Sequence, residues 1–224
     1  GQRVIHEFVD SLHTAPAPFD PIPGLPIYVG IDGGKTPAAA FMQQTKERQW
    51  RQFGELVADK IGCASFIEDM LKPYVAELEQ GDHATFKYTV DPAMMGEVDS
   101  DVGLYRAAGF DVRPAFTNDW GVRRDLLGRM CSNMVAGKPR YYLSPACKRT
   151  RMALAKGYVL NKVGVASNGV IIYAMKPDKR SQHSHCADAT MYAPMGAGEG
   201  RDLLRRSQQS EETEQAAVRL NSVA

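Results

Sequence analysis

Three strand-like runs follow one another directly, Ile27 to Ile31, Ala38 to Gln44 and Gln49 to Ala58, and strand and helix patterns alternate after them. Runs in immediate succession predict an antiparallel meander, and the alternation predicts helices that cross between strands. The chain is therefore expected to be α/β, with a central mixed β-sheet flanked by helices. The first run stops at Asp32-Gly33-Gly34, and the charged turn Lys46-Glu47-Arg48 separates the second from the third. Phe66, Ile67, Met70, Leu71, Tyr74, Val75 and Leu78 recur at helical spacing over 64–79, with Pro73 as the discordant member. Ala84 to Val90 reads as a strand. Helices are expected from about Trp120 to Val135, capped by Asn118 or Asp119, from Pro145 to Lys156, and from Ser184 through Tyr192. Ser167-Asn168-Gly169 is a turn signal for a β-hairpin between Tyr158 to Val163 and Val170 to Met175.

At 224 residues the chain has the length of one domain, large enough to bury a core without metals or disulfides. Residues 1–26 contain Pro16, Pro18, Pro21, Pro23 and Pro26 and read as an extended lead-in or linker; 27–197 form the domain, and 198–224 a polar, flexible or frayed tail. An opening at Gly1 in linker-like sequence is expected of an excised fragment. No apolar run approaches the roughly 18 residues of a membrane span, and no signal peptide is evident, so the chain reads as intracellular. Cys63, Cys131, Cys147 and Cys186 show no paired spacing and are expected to be reduced and buried. The net charge of +1 predicts no partner. From Lys138 to Lys162, however, Lys138, Arg140, Lys148, Arg149, Arg151, Lys156 and Lys162 occur with no Asp or Glu among them. Such a stretch is either a phosphate-facing surface or a solvated helix face.

Carboxylates at strand ends carry the chemistry. Asp32 ends an apolar strand, and Asp91 ends the strand Thr85 to Val90, with Pro92 holding it extended. Asp188 lies on an apolar helix between the small residues Ala187 and Ala189, which permit close packing on a sheet. If the three converge, they are tolerable together only with cations, and hard oxygen ligands suit Mg²⁺ or Mn²⁺. Taken singly, each is also an ordinary turn or cap residue. His185, three residues before Asp188, shares its helical face and is placed to orient the carboxylates. His183-Ser184-His185-Cys186 is read as structural rather than as a zinc site. Gly34-Lys35-Thr36 mimics the end of a P-loop, but Val29 stands where its first Gly is required. Gly30 to Gly34 also imitates the phosphate loop of sugar kinases, without the second copy those proteins carry.

An ordered set of segments adds a family resemblance. Pro23 to Asp32, Thr36-Pro37-Ala38, Trp50 through Val57, Val90 to Ala93, and Ser184 to Ala189 with Tyr192 and Gly198-Glu199-Gly200 together resemble the C-terminal nuclease domain of the large terminase subunit of tailed bacteriophages. The resemblance covers about residues 4 to 200. It implies an RNase H-like fold and a metal-dependent endonuclease that cuts concatemeric double-stranded viral DNA during genome packaging, in the cytoplasm of the infected bacterial host. The family's three metal ligands fall on Asp32, Asp91 and Asp188. The implied partners are DNA, an ATPase motor domain that precedes the nuclease, and the portal and small terminase subunit, with no membrane. The hairpin from Tyr158 to Met175 corresponds to an element implicated in handling DNA or regulating the cut. Gly33 departs from the aromatic residue that often follows the aspartate.

The expected mechanism has Asp32 bridge two Mg²⁺ or Mn²⁺ ions, with Asp91 and Asp188 completing the ligand set and no side-chain nucleophile. Lys148, Arg149, Arg151, Lys156 and Lys162, together with Lys176, Lys179 and Arg180, are candidates to hold DNA phosphates. Two other readings accompany it: an RNase H-fold junction resolvase, and a catalytically silent DNA-binding or capsid-docking module.

Overall fold

The computed structural model describes residues 1–34, 36–81, 83, 85–95, 101–178 and 181–221; the side chains of 182 and 214–221 are not described. In chain order the elements are β1 (Gln2–Arg3), α1 (Asp10–His13), β2 (Ile27–Asp32), β3 (Ala38–Gln44), β4 (Trp50–Val57), α2 (Cys63–Phe66), α3 (Lys72–Gln80), β5 (Phe86–Val90), α4 (Asp101–Ala107), β6 (Val112–Pro114), α5 (Trp120–Ser132), β7 (Met134–Val135), β8 (Lys138–Pro139), β9 (Tyr141–Leu143), α6 (Lys148–Met152), β10 (Val159–Leu160), β11 (Lys162–Val165), β12 (Ile171–Tyr173), α7 (Gln182–Met195) and α8 (Arg201–Asn221). A π-helical turn, Ile67–Leu71, joins α2 to α3, and another, Ala153–Gly157, prolongs α6. Pro73 falls in the first turn of α3, directly after the wide turn, where its missing N–H is least disruptive.

Among the described residues the main sheet has six strands in the order β6-β5-β2-β3-β4-β9. The expected meander is β2-β3-β4, paired antiparallel, while β2-β5, β5-β6 and β4-β9 are parallel, so β3 alone runs against the other five. From β2 the chain turns to one side into β3, yet it later returns on the other side of β2 as β5. That reversal opens a crevice at the carboxyl ends of β2 and β5, the usual seat of ligands on such sheets.

Period-two alternation sorts the strand residues onto two faces. Ile27, Val29 and Ile31, with Tyr88 and Val90, join Phe66, Leu71 and Tyr105 in one core beneath α2, α3 and α4. The alternate residues face α7, which packs across β2 and β3 through Ala38, Ala40 and Ala189. The small residues flanking Asp188 do permit close approach. At Gly30 an added Cβ would collide with the carbonyl oxygen of Ala189 and the amide of Ala193, so only glycine fits there. A buried polar chain ties the far edge together. Tyr141 and Thr190 donate to Oε1 of Gln52, whose amide donates to Thr150, and Glu55 accepts from the Thr150 hydroxyl and from the amides of Arg149 and Thr150. Glu55 thereby caps the start of α6 from across the fold, satisfying orphan helix donors.

Both chain ends differ from expectation. The lead-in of residues 1–26 is in part core: Val4, Ile5 and Phe8 are buried against Leu126, Met130 and Tyr141, and β1 pairs with β10. Its apolar side chains gain more from burial than the proline-restricted segment gains from staying extended in water. Beyond α1 the prolines do exclude regular structure, and Gln43 fastens that stretch by bonding Ile22 and Leu25. In place of a flexible tail, residues 201–221 form α8, whose first turn is anchored by the two-point ion pair between Asp202 and Arg129 and by Leu203 against the core. All four cysteines are free and buried. No helix among the described residues is long and apolar enough to cross a membrane.

Candidate metal centre and cleft

Ile31 pairs with Val90 in the parallel β2-β5 ladder, and the Asp91 amide donates to the Ile31 carbonyl at 3.2 Å. Asp32 and Asp91 are therefore register neighbours at adjacent strand ends, and both project to the face covered by α7. They border a cleft of about 400 Å³ together with Gly33, Asn118, Trp120, Arg123, Lys176 and His185. Asp91 Oδ1 accepts from the Ala93 amide at 2.9 Å, which fixes its rotamer over the short 3₁₀ turn begun by Pro92. His185 Nδ1 donates to Asp32 Oδ2 at 2.7 Å. The orienting role expected of His185 thus falls on Asp32, reached across the cleft from α7.

Asp188 stands apart from the other two. It is fully buried one turn along α7, and its Oδ1 accepts from Arg123 Nη1 at 2.8 Å and from the Tyr158 hydroxyl at 3.2 Å. Arg123 lines the cleft and so forms its wall between Asp188 and open space. Two hard carboxylates facing one crevice fit a Mg²⁺ or Mn²⁺ ion. The third is held by a guanidinium, and among the described residues no group of three His, Cys, Asp or Glu is close enough to hold a metal.

The basic candidates separate in space. Lys176 lies exposed on the cleft rim, immediately after the β11-β12 hairpin, where Val163, Val165, Ile171, Ile172 and Met175 are also exposed. Lys148, Arg149, Arg151, Lys156 and Lys162 are exposed but do not border the cleft, and Arg151 is bound in two-point fashion to Asp10. Lys179 and Arg180 lie outside the described residues. A larger groove of about 960 Å³ runs along the β3-β4 turn and the β7-β8 hairpin, at the opposite end of the sheet from the two aspartates.

Arg123 was not legible as a site residue, although a signal exists. Positions 123, 126, 127 and 130 form the apolar stripe of α5, and an arginine there is a charge on the buried face. Tyr158 gave no comparable signal, since a buried tyrosine at a strand start is ordinary core. At Gly33 an added Cβ would lie 2.7 Å from Met94, whose side chain fills the space where a larger residue would sit.

No protein-family model and no curated protein matches the chain. Solved structures do. The full-length large terminase of a thermophilic bacteriophage is 21% identical with a TM-score of 0.61, over 84% of this chain and 43% of that one. The nuclease domain of the P22 large terminase is 14% identical with a TM-score of 0.57, over 89% and 96%. The large terminase nuclease from thermophilic phage G20c is 13% identical with a TM-score of 0.54, over 86% and 97%; that protein also has structures with bound magnesium and with bound cobalt. The chain thus spans less than half of the first of these proteins and nearly all of the two nuclease domains. Its fold is the RNase H-like fold of terminase nuclease domains.

Proposed function

We propose that this chain is the nuclease part of a large terminase subunit, a divalent-metal-dependent endonuclease that cuts double-stranded viral DNA during packaging. The observation that carries the reading is the in-register pair Asp32 and Asp91 at the mouth of a crevice, in a fold shared with nuclease domains. Asp32 and Asp91 would hold the first Mg²⁺ or Mn²⁺ ion, and Asp188 would join the ligand set for a second. Bound there, such ions supply Lewis-acid chemistry, activating water and offsetting charge on the phosphodiester.

The chain's own groups position the substrate. His185 holds the Asp32 carboxylate toward the cleft, and the Ala93 amide does the same for Asp91. Lys176 contributes a positive charge at the rim, suited to a phosphate rather than a base edge, so sequence preference would be weak. The exposed bases Lys148, Arg149, Lys156 and Lys162 extend that surface along the duplex, and Lys179 and Arg180 follow Lys176 in sequence. A preceding ATPase motor domain, the portal and the small terminase subunit are the partners this reading entails, in the cytoplasm of the infected host.

Asp32→Asn tests it. The variant should lose plasmid cleavage in Mn²⁺ while keeping its circular dichroism spectrum and melting temperature near those of the parent. Cleavage that persists in the folded variant would overturn the assignment.

A further inference from the structure

Arg123 is a charge placed on a buried helix face, and it connects Asp188 to the cleft. Its side chain is 2% exposed and that of Asp188 1%. The guanidinium lies 4.9 Å from the Tyr192 ring centroid, and its Nε is buried with no hydrogen-bond partner. Burial opposes the charge on Arg123, yet the adjoining Asp188 carboxylate outweighs it and raises the guanidinium above its ordinary pKa. A buried pair of this kind adds little net stability, because desolvating two ions offsets most of their attraction. The idle Nε costs more. Stability alone therefore does not account for an ion pair in the wall of a crevice that already presents two carboxylates.

We propose that Arg123 is a resident counterion for Asp188, supplying the positive charge that a divalent ion would otherwise provide and keeping Asp188 out of the ligand set until metal displaces it. This rests on the metal-dependent reading above. Oδ1 of Asp188 already accepts from two donors, and a cation approaching it meets the guanidinium's like charge at contact range. Arg123 is thus a positioning residue that sets how readily the third carboxylate joins, and its removal should favour metal.

The test is calorimetric titration of Mn²⁺ into the whole chain without DNA, for the parent, Arg123→Gln and Arg123→Lys. Arg123→Gln should bind Mn²⁺ roughly tenfold more tightly, the scale of removing one like charge at close range. Its melting temperature should rise more on Mn²⁺ addition than the parent's. Arg123→Lys keeps the charge and should gain less. Equal or weaker binding by Arg123→Gln, or an equal gain in Arg123→Lys, overturns the proposal while leaving the nuclease reading intact. If Arg123→Gln is unfolded without metal, Mn²⁺ should fold it; a chain that stays unfolded at millimolar Mn²⁺ overturns the proposal. Adding Asp188→Asn to Arg123→Gln should abolish the gain, and a gain that survives refutes the role of Asp188. Absence of Mn²⁺ binding in every variant removes the metal reading itself, and the proposal with it.

Discussion

Replacing Gly30 by Ala tests whether the close seat of α7 on β2 is what places the cleft. The new methyl would collide with the carbonyl of Ala189 and the amide of Ala193, both backbone atoms of α7, which cannot rotate aside as a side chain would. Overpacking costs ~1–3 kcal/mol, and a backbone-to-backbone collision belongs at the upper end, about 3 kcal/mol. For a chain of this size, at roughly 2–4 °C per kcal/mol, the melting temperature should fall by about 6–12 °C. To restore ordinary contact, α7 must retreat by on the order of 1 Å, carrying His185 and Asp188 with it, a displacement that lowers rates by roughly a hundredfold when it touches a reacting centre. Urea denaturation and plasmid cleavage in Mn²⁺ read the two effects separately. A variant within about 0.5 kcal/mol of the parent, the scale of an inconsequential surface change, with undiminished cleavage, would refute the reasoning.

Other expectations concern charges. Lys176→Ala should weaken DNA binding about equally for all sequences and reduce the salt slope of log K by about one phosphate contact; an unchanged slope in a filter-binding titration would remove Lys176 from the interface. The hydrogen-bonded Arg129 guanidinium holds Asp202 at a pKa of about 2, below the ordinary 3.8. A carboxylate depressed in this way stabilises the fold above its unfolded pKa, and that contribution is lost as pH falls from about 4 through about 2. Asp202→Asn should therefore be less stable than the parent at neutral pH, by a small margin because the side chain is 41% exposed and screened by solvent, with the gap closing in acid. A gap constant across that window in urea denaturation would contradict the assignment.

What could be read from the sequence was local. The strands of the meander announce themselves by apolar runs between turn residues, and Asp32 and Asp91 by ending such runs, because strand ends are where a carboxylate can leave the core while its backbone stays fixed. Ala187 and Ala189 signalled close helix packing, which Gly30 completes from the facing strand. What stayed hidden depends on partners distant in sequence. Phe8 is buried by α5 and β9, so the prolines that follow it masked a segment of core. The first turn of α8 is docked by Arg129, 73 residues earlier, and polar composition alone could not reveal that. Arg123 meets Asp188 across 65 residues, and only its position on an apolar stripe hinted at burial. The expected trio of open carboxylates is in this structure an open pair and a third acid already neutralised.

The most direct test of the metal-dependent reading is a crystal of the chain soaked in Mn²⁺ and measured for anomalous scattering. The account predicts a peak at coordination distance from both Asp32 and Asp91, in the cleft bordered by His185 and Arg123. A peak elsewhere, or none there while His185 still holds Asp32, would contradict it.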